Sequence, residues 1–217
     1  MKLSKFEKLI FRLTPNFLLK RWLPHFSKYT FFKETEDTQT PITFDYWYNQ
    51  LVLQKNAGPY WPVHFTSTVS GWKNVYCGIE TCPGYSPGNY ISSFHGKIYI
   101  GDYTQIAPNV GIISSNHDVY DNAKHIPNEV RIGKYCWIGM GAIILPGVEL
   151  GDFTIVAAGA IVTKSFKEGY AIIGGNPAQK IKDLDPKKCV RNRSKHEYNG
   201  YMPSDQFEVY RKNYLNV

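Results

Sequence analysis

The sequence predicts an all-β solenoid, a parallel β-helix in which short strands wind around one aliphatic core. The first observation is an aliphatic residue at every sixth position, in two runs: Ile100, Ile106 and Ile112, then Ile132, Ile138, Ile144, Leu150, Val156 and Val162. A period of six fits neither an α-helix nor an alternating strand. It fits a coil whose turns each have three short sides, with the aliphatic side chain always directed inward.

The second observation is that small or compact residues lie four positions after these aliphatic residues. They are Thr104, Val110, Cys136, Ala142, Val148, Thr154 and Ala160. Protein interiors are closely packed, so a narrow prism needs bulky and small side chains at fixed places. Glycine directly after the aliphatic residue, as at Gly101 and Gly133, is expected at corners that need unusual backbone angles.

The regular pattern predicts three parts in chain order. Residues 1–64 form an N-terminal helical and irregular arm, residues 65–175 form the β-helix, and residues 176–217 form a C-terminal helix with a basic tail. The first part contains an amphipathic pattern with apolar residues on one helix face, interrupted at Pro15. These apolar residues are Leu3, Phe6, Leu9, Ile10 and Leu13.

The net charge of +7 predicts an anionic partner. Residues 1–28 contain seven Lys and Arg residues and one acid, Glu7. A basic amphipathic segment is typical of peripheral contact with a membrane, although an arm packed on the coil or on a neighbouring subunit explains the pattern as well. No nucleic-acid-binding motif is present, so we expect no nucleic-acid partner. The aromatic residues between Tyr46 and Trp61 serve either core packing or stacking on sugar rings.

Cysteine usage and hydropathy predict the compartment. The four cysteines have no metal-ligand spacing, and Cys136 falls on an inward small-residue position, which predicts a buried thiol. There is neither a secretory-signal pattern nor an apolar run long enough to span a membrane. The expected location is the cytoplasm, with contact at the inner membrane face through residues 1–28.

One interruption of the repeat is the candidate functional feature. Ile112 and Ile132 are twenty positions apart rather than six, which predicts a loop insertion near 113–130. Insertions in solenoids mark the functional face. This one begins with Asn116, His117 and Asp118. A histidine at the base of such a loop can be held still, and the ordinary pKa of a histidine lets it accept a proton near neutral pH. Asp118 or a backbone carbonyl could fix its tautomer, and His125 is the rival base.

At this point the chain resembles the hexapeptide-repeat acyltransferases that use acetyl-CoA, among them galactoside, maltose, serine, xenobiotic and polysaccharide O-acetyltransferases. The resemblance covers roughly residues 65–185. The motifs that carry it are 100–102, 106–110, the Asn116-His117 loop, 135–139, 145–148, 158–164 and 175–178. It implies a left-handed winding, a homotrimer with active sites between subunits, acetyl-CoA as the acyl donor and no metal.

The resemblance also implies roles for individual residues. His117 is the expected base, and Asn116, Ser92 and Ser93 are candidates for contacts to the oxyanion or the acceptor, with turn residues as the alternative for the two serines. The expected cofactor contacts are the backbone of Gly139, Met140 and Ala158, then Thr163 and Lys164, and finally Lys182 near the nucleotide phosphates. Gln179 departs from the family pattern, because a relative has arginine there. Trp137 is expected to pack on the coil.

These residues predict transfer of an acetyl group from acetyl-CoA to a carbohydrate hydroxyl, for example on a capsule, O-antigen or exopolysaccharide unit. Serine and xenobiotic O-acetyltransferases are the alternatives by reaction. A zinc enzyme of the carbonic anhydrase type shares the fold but needs three histidines that meet, and no third histidine stands in phase with His117 and His125. A non-catalytic scaffold is the remaining alternative, and the His117 loop with Thr163 and Lys164 argues against it.

Overall fold

A computed structural model describes residues 3–217, so Met1 and Lys2 of the predicted arm lie outside the described residues. Its α-helices are α1 (Lys5–Leu13), α2 (Asn16–Trp22), α3 (Phe31–Glu34), α4 (Phe44–Trp47) and α5 (Ser204–Tyr214). Short 3-10 segments lie at Leu23–His25, Ser27–Tyr29, Trp72–Asn74 and Pro186–Lys188, and a π-helical turn lies at Tyr48–Val52. The break between α1 and α2 falls at Pro15, whose ring cannot continue a helix.

The strands are short and numerous. They are β1 (Thr68–Ser70), β2 (Val75–Cys77), β3 (Tyr90–Ser92), β4 (Ile98–Ile100), β5 (Gln105–Ile106), β6 (Gly111–Ile113), β7 (Ser115–His117), β8 (His125–Pro127), β9 (Val130–Ile132), β10 (Trp137–Ile138), β11 (Ile143–Ile144), β12 (Glu149–Leu150), β13 (Ile155–Val156), β14 (Ile161–Val162), β15 (Ala171–Gly175), β16 (Ala178–Asp183), β17 (Tyr198–Asn199) and β18 (Met202–Pro203).

Three sheets, parallel except for the strand β16, form the coil, and two separate hairpins pair β7 with β8 and β17 with β18. Sheet A has the order β1-β3-β6-β11-β14, sheet B has β12-β9-β4-β2, and sheet C has β16-β15-β13-β10-β5. From β9 to β14 the chain visits sheets B, C and A in turn and then repeats. Paired residues such as Trp137 and Ile155 therefore lie eighteen positions apart, three hexads, which is the arrangement of a parallel β-helix.

The aliphatic repeat forms the core of the coil. Eight of the nine residues are buried, while Ile106 is only half-buried. The seven compact positions are all buried too, and the thiol of Cys136 lies 3.3 Å from the carbonyl oxygen of Gly151. Burial raises the pKa of Cys136 to about 12, so this cysteine is an inert small core residue, as predicted.

At the corner that contains Gly101 and Gly133, the unusual backbone angles expected of glycine are adopted by aromatic residues two positions later. Tyr103, Tyr135 and Phe153 adopt φ between 56° and 58°, the left-handed region that side chains disfavour. Their rings stack at centroid distances of 5.3 Å and 4.9 Å, and Tyr170 continues the stack at 5.2 Å. We infer that stacking along the coil offsets the backbone strain at this corner. Glycine keeps the role where backbones meet, because a Cβ on Gly139 would lie 2.7 Å from the backbone of the next turn.

The aromatic residues before the coil are packing residues. Trp47 and Trp61 are fully buried, and Tyr60 is nearly so. Tyr46 stacks on Tyr85 with ring centroids 4.4 Å apart. Trp47 belongs to a second apolar cluster formed by the N-terminal segments together with Tyr198 and Tyr201 of the C-terminal part. Core packing therefore accounts for this region, and the sugar-stacking alternative has no support from it.

The C-terminal part differs from the prediction. The coil extends through β15, which pairs in parallel with β13, but the chain then turns back as the antiparallel strand β16 instead of starting a helix. The helix begins at Ser204 rather than soon after residue 178. Apolar residues at 171–173 continue the buried pattern of the coil, which explains why the strand persists there.

Candidate active site

The interruption of the repeat folds as an antiparallel hairpin that projects from the coil. Strands β7 and β8 pair so that His117 lies opposite His125. The hairpin is closed at its base by the N–H of Asn128, which donates to the carbonyl of Ser114 at 2.8 Å. Ser114 is itself bonded to the preceding turn, because its hydroxyl donates to the carbonyl of Ser92. The insertion is therefore anchored to the coil at its root.

The side chain of His117 is exposed and held by one hydrogen bond. Its Nδ1 lies 2.6 Å from the carbonyl oxygen of Asn122. A carbonyl can only accept, so this contact requires the Nδ1–H form and leaves the Nε2 lone pair available for a proton. Of the two groups considered for fixing the tautomer, the structure favours a carbonyl. Asp118 instead accepts from the backbone N–H groups of Tyr120 and Asp121, at 2.8 and 3.1 Å, and shapes the turn.

Three histidine rings lie in a row at this hairpin. His125 stacks on His95 at a centroid distance of 4.1 Å with an interplanar angle of 19°, and it lies 4.4 Å from His117 at 47°. His95 was not among the candidate residues, and the structure places it against the hairpin. β3 pairs with β6 on the next turn, with Ser92 opposite Ile113. Counting three residues on from each strand end, His95 corresponds to Asn116 of the hairpin.

The histidine row predicts an unusual titration of its central member. Partial desolvation of the ring, and then the positive charge that His95 and His117 acquire when protonated, lower the pKa of His125 from its ordinary value. We expect His125 to stay neutral to a lower pH than a free histidine, as measured by NMR titration of labelled histidines. The substitution His95→Phe keeps a ring on the stack and removes a charge, so it should raise the pKa of His125. A pKa at or above the ordinary value in the wild type would contradict this prediction.

The two serines proposed for acceptor contact differ in accessibility. Ser93 is fully buried, and its hydroxyl donates to the carbonyls of Ser70 and Gly71 at 2.8 and 2.9 Å. It is a structural residue of the coil turn, which corrects its expected acceptor role. Ser92 is half-buried at the end of β3, and Asn116 is exposed on β7. Neither side chain is fully buried, so both remain candidates for contact with the acceptor or the oxyanion.

The expected cofactor residues Gly139, Met140 and Ala158 lie at the corner that precedes sheet A. The N–H of Gly159 donates to the carbonyl of Met140 at 2.8 Å, which stacks the turns that contain Met140 and Ala158. Met140 and Ala158 are exposed, whereas Gly139 is buried. Gly141 and Gly159 both have φ of 69°, and a Cβ on either would meet nothing within 4 Å. This corner is an open strip of accessible backbone.

The Met140 corner precedes the strands of sheet A, whereas Thr163 and Lys164 lie at the other end of these strands, directly after β14. The hairpin begins at this same end of the sheet, directly after β6. β6 and β14 are two strands apart, a separation of about 10 Å. The Lys164 ammonium donates to the side-chain carbonyl of Gln179 at 2.7 Å, so the residue that departs from the family pattern contacts an expected cofactor residue. Lys182 is exposed on β16, opposite Ile172.

Two features of this region were missed or misjudged from the sequence. Trp137 was expected to pack on the coil, yet it is 56% exposed on β10, because it precedes the inward-pointing Ile138 and therefore points outward. Asn122 was not singled out, since a backbone carbonyl leaves no mark in the sequence. Ser93 and Ser114 stand at equivalent positions on neighbouring turns. Aligning the two turns in this way puts His95 opposite Asn116, so the sequence could have revealed His95.

The described residues contain neither a metal-binding arrangement nor a spanning helix. Within residues 3–217 no three His, Cys, Asp or Glu side chains are arranged to hold a metal ion, and the histidine row is stacked rather than convergent. In the same range no helix has the length and apolar character needed to cross a bilayer.

Comparison with known proteins identifies the repeat. Residues 129–164 match the family described as bacterial transferase hexapeptide, six repeats. The matched residues lie within the coil, from just before β9 to just after β14. Galactoside O-acetyltransferase from Escherichia coli (strain K12) is 33% identical to the chain over 105 residues, which cover 46% of this chain and 48% of the relative. Chloramphenicol acetyltransferase from Agrobacterium fabrum (strain C58) is 51% identical over 51 residues, 24% of each protein.

A solved structure agrees with the observed coil. Galactoside acetyltransferase in complex with coenzyme A has a TM-score of 0.50 and 24% identity to this chain, covering 64% of this chain and 70% of the other. At this identity the likeness concerns the fold. The chain spans about half the length of the curated relatives that it matches.

Proposed function

We propose that this protein transfers an acetyl group from acetyl-CoA to a hydroxyl group of a carbohydrate. The observation that carries the proposal is the hairpin of the hexapeptide-repeat coil, which presents His117 with Nδ1 bound to a carbonyl and Nε2 open. The likeness to O-acetyltransferases supports the reaction type, because a hydroxyl acceptor needs a base.

The base chemistry follows from the tautomer of His117. Nε2 accepts the proton of the acceptor hydroxyl as its oxygen attacks the acetyl carbonyl. The bond between carbonyl carbon and sulfur then breaks, and the same nitrogen returns the proton to the departing sulfur. The carbonyl of Asn122 holds the ring throughout and stabilises its charged form. No covalent intermediate with the protein is needed, because His117 moves only a proton.

Negative charge that develops on the acetyl oxygen needs a hydrogen-bond donor. Asn116 is one residue before His117 and exposed, so its side-chain amide is the first candidate. The hydroxyl of Ser92 is the second. Ser93 is not a candidate, since its hydroxyl is already committed to two backbone carbonyls.

The open strip at Met140, Gly141, Ala158 and Gly159 fits a slender chain such as the pantetheine arm of acetyl-CoA. The space beside Gly141 and Gly159 is open, and the exposed backbone there can bind amide groups. When bound, acetyl-CoA supplies an activated thioester. Lys164 and Lys182 are exposed cations that suit the phosphates further along the same molecule.

We further propose a homotrimer with left-handed coils. In one subunit, the strip at Met140 precedes the strands of sheet A and the hairpin with His117 follows them, so the two lie at opposite ends of these strands. A neighbouring subunit that brings its strip against the hairpin would complete the site. This arrangement explains why an exposed His117 lies on a hairpin that projects from the coil.

A lipid-linked or nascent surface polysaccharide is the proposed acceptor, modified in the cytoplasm at the inner membrane face. The basic, apolar front end of the chain supports this choice. A xenobiotic acceptor is the second candidate, favoured by the 51% identity to a chloramphenicol acetyltransferase over a short stretch of the coil. The two differ in acceptor size, so a substrate panel separates them.

The variant Lys164→Ala should raise the KM for acetyl-CoA roughly fivefold or more, with kcat retained at saturation, because it removes one charge contact to the donor. Steady-state kinetics with varied acetyl-CoA measure this effect. Lys167→Ala is the matched control, since Lys167 is an exposed lysine paired with Glu149. An unchanged KM in Lys164→Ala would remove this residue from the cofactor site.

The function itself is tested by thiol release from acetyl-CoA in the presence of saccharides, serine and chloramphenicol. We expect release that is stimulated by a carbohydrate. Stimulation by chloramphenicol alone would favour the second candidate. If acetyl-CoA does not bind at all in calorimetry, the acetyl-transfer proposal is wrong.

A further inference from the structure

An unusual number of large apolar side chains are exposed at the start of the chain. They are Phe6, Leu9, Ile10, Leu13, Phe17, Trp22 and Phe26, each at least 42% exposed. We call this set the apolar N-terminal face. Its first four members are spaced as one stripe along α1. A surface helix ordinarily packs its apolar stripe against the core, whereas α1 exposes this stripe to solvent.

Polar contacts on the other side of α1 explain this orientation. The guanidinium of Arg12 donates to the carbonyl of Val52 at 2.9 and 3.2 Å, and the ammonium of Lys8 donates to Gln54 at 3.0 Å. Phe11 packs edge-on against Trp47 with ring centroids 5.3 Å apart. These contacts hold one face of α1 to the body of the protein. The apolar stripe is left facing outward.

The helix is formed and docked without a partner. Ser4 and Glu7 form a capping box in which each side chain accepts from the backbone N–H of the other residue, at 2.7 and 3.1 Å. Glu7 also pairs with Lys28 at 2.7 Å. The hydrogen bond from Lys28, followed by those from Ser4, lowers the pKa of Glu7 to about 2, so its carboxylate is ionised at physiological pH. A binding partner would meet a preformed face.

The charge around this face indicates what covers it. Residues 3–28 contain six Lys and Arg residues and only one acid, Glu7, which is already paired. Lys5 and Arg21 are exposed and form no ion pair within residues 3–217. A second copy of this chain would bring the same positive charge and a net charge of +7 with it. An anionic bilayer offers phosphates to the cations and acyl chains to the apolar stripe.

We propose that the apolar N-terminal face binds the surface of an anionic phospholipid bilayer. α1 and α2 are far shorter than a bilayer-spanning helix, so they lie in the interface rather than cross it. Phe6, Leu13 and Phe17 enter the acyl region, and Lys5 and Arg21 contact lipid phosphates. Binding holds the coil at the membrane, beside acceptors that are lipid-linked. That last consequence rests on the proposed function, whereas membrane binding does not.

The test is co-sedimentation of the full-length protein with vesicles of phosphatidylcholine alone or mixed with phosphatidylglycerol. We expect binding to the anionic vesicles that weakens with salt. The double variant Leu13→Glu and Phe17→Glu should bind about tenfold or more weakly, because two apolar anchors are lost and two negative charges are added. Val209→Glu is the matched control, since Val209 is equally exposed but lies on α5.

Several outcomes would overturn the proposal. One is a wild-type protein that fails to sediment with anionic vesicles, and another is a double variant that binds like the wild type. The face instead binds a second copy of the chain if the wild type does not bind vesicles and light scattering gives a lower oligomer mass for the double variant than for the wild type. Circular dichroism confirms that each variant is folded. Turnover of a water-soluble acceptor should be unchanged in the double variant, which separates this proposal from the proposed function.

Discussion

The substitution His117→Ala should reduce the acetyl-transfer rate by roughly 10²–10⁴-fold, the usual contribution of a well-placed general base. The loss should appear in kcat, because the acceptor hydroxyl keeps its proton during the attack. Acetyl-CoA binding and oligomer mass should not change, since the His117 side chain is exposed and, among residues 3–217, hydrogen-bonds only to the carbonyl of Asn122.

The matched control for this substitution is His25→Ala, which removes an exposed histidine from the N-terminal part. It should keep wild-type turnover of a soluble acceptor. Kinetics under saturating donor and acceptor distinguish the two variants. Turnover near the wild-type rate in His117→Ala would exclude this residue as the base, and His125 would then be the next residue to substitute.

The substitution Ile144→Ala should lower the free energy of unfolding by about 2–5 kcal/mol, because it opens a cavity in the fully buried core of the coil. The turns of a solenoid support only their neighbours, so the gap cannot be filled by a distant side chain. Ile144 lies near the middle of the repeat, on β11, and this strand pairs with β6 on one side and with β14 on the other.

Its neighbour Ile143 provides an internal control. Ile143 lies on the same two-residue strand but faces outward and is half-buried. Ile143→Ala should cost less than half as much as Ile144→Ala, as measured by urea denaturation. Equal losses for the two variants would contradict the assignment of inward and outward positions that the six-residue repeat implies.

The coil could be predicted from the sequence because its rule is local and repeats. Each inward position, such as Ile138 or Val156, contributes the same contact to the same core, so the spacing alone reveals the sheets. Ile106 shows the limit of the rule, since its position in the repeat is right while its neighbours leave it half-buried. The aromatic corner at Tyr103 and Tyr135 also lay outside the rule, because these residues, and not the neighbouring glycines, adopt the left-handed backbone angles.

The candidate site could be predicted only in part. His117 is evident because it lies where the repeat breaks. Asn122 contacts it through a backbone carbonyl, which any residue type could provide. His95 lies on a different turn of the coil and reaches the hairpin through His125. Neither relation leaves a local pattern in the sequence. Ser93 and Ser92 are adjacent in sequence but differ in burial, since alternate residues of a strand face opposite sides. The outward orientation of α1 depends on contacts from Arg12 and Lys8 to residues about forty positions away.

The central claim is that a hydroxyl oxygen receives the acetyl group directly from acetyl-CoA. The most direct measurement is mass spectrometry and NMR of the acceptor after incubation with acetyl-CoA labelled in the acetyl group. We predict a labelled acetyl ester on one carbohydrate oxygen, removable by mild alkali, formed by the wild type and not by His117→Ala. A label found on an amine, on the protein itself or only in free acetate would contradict the account.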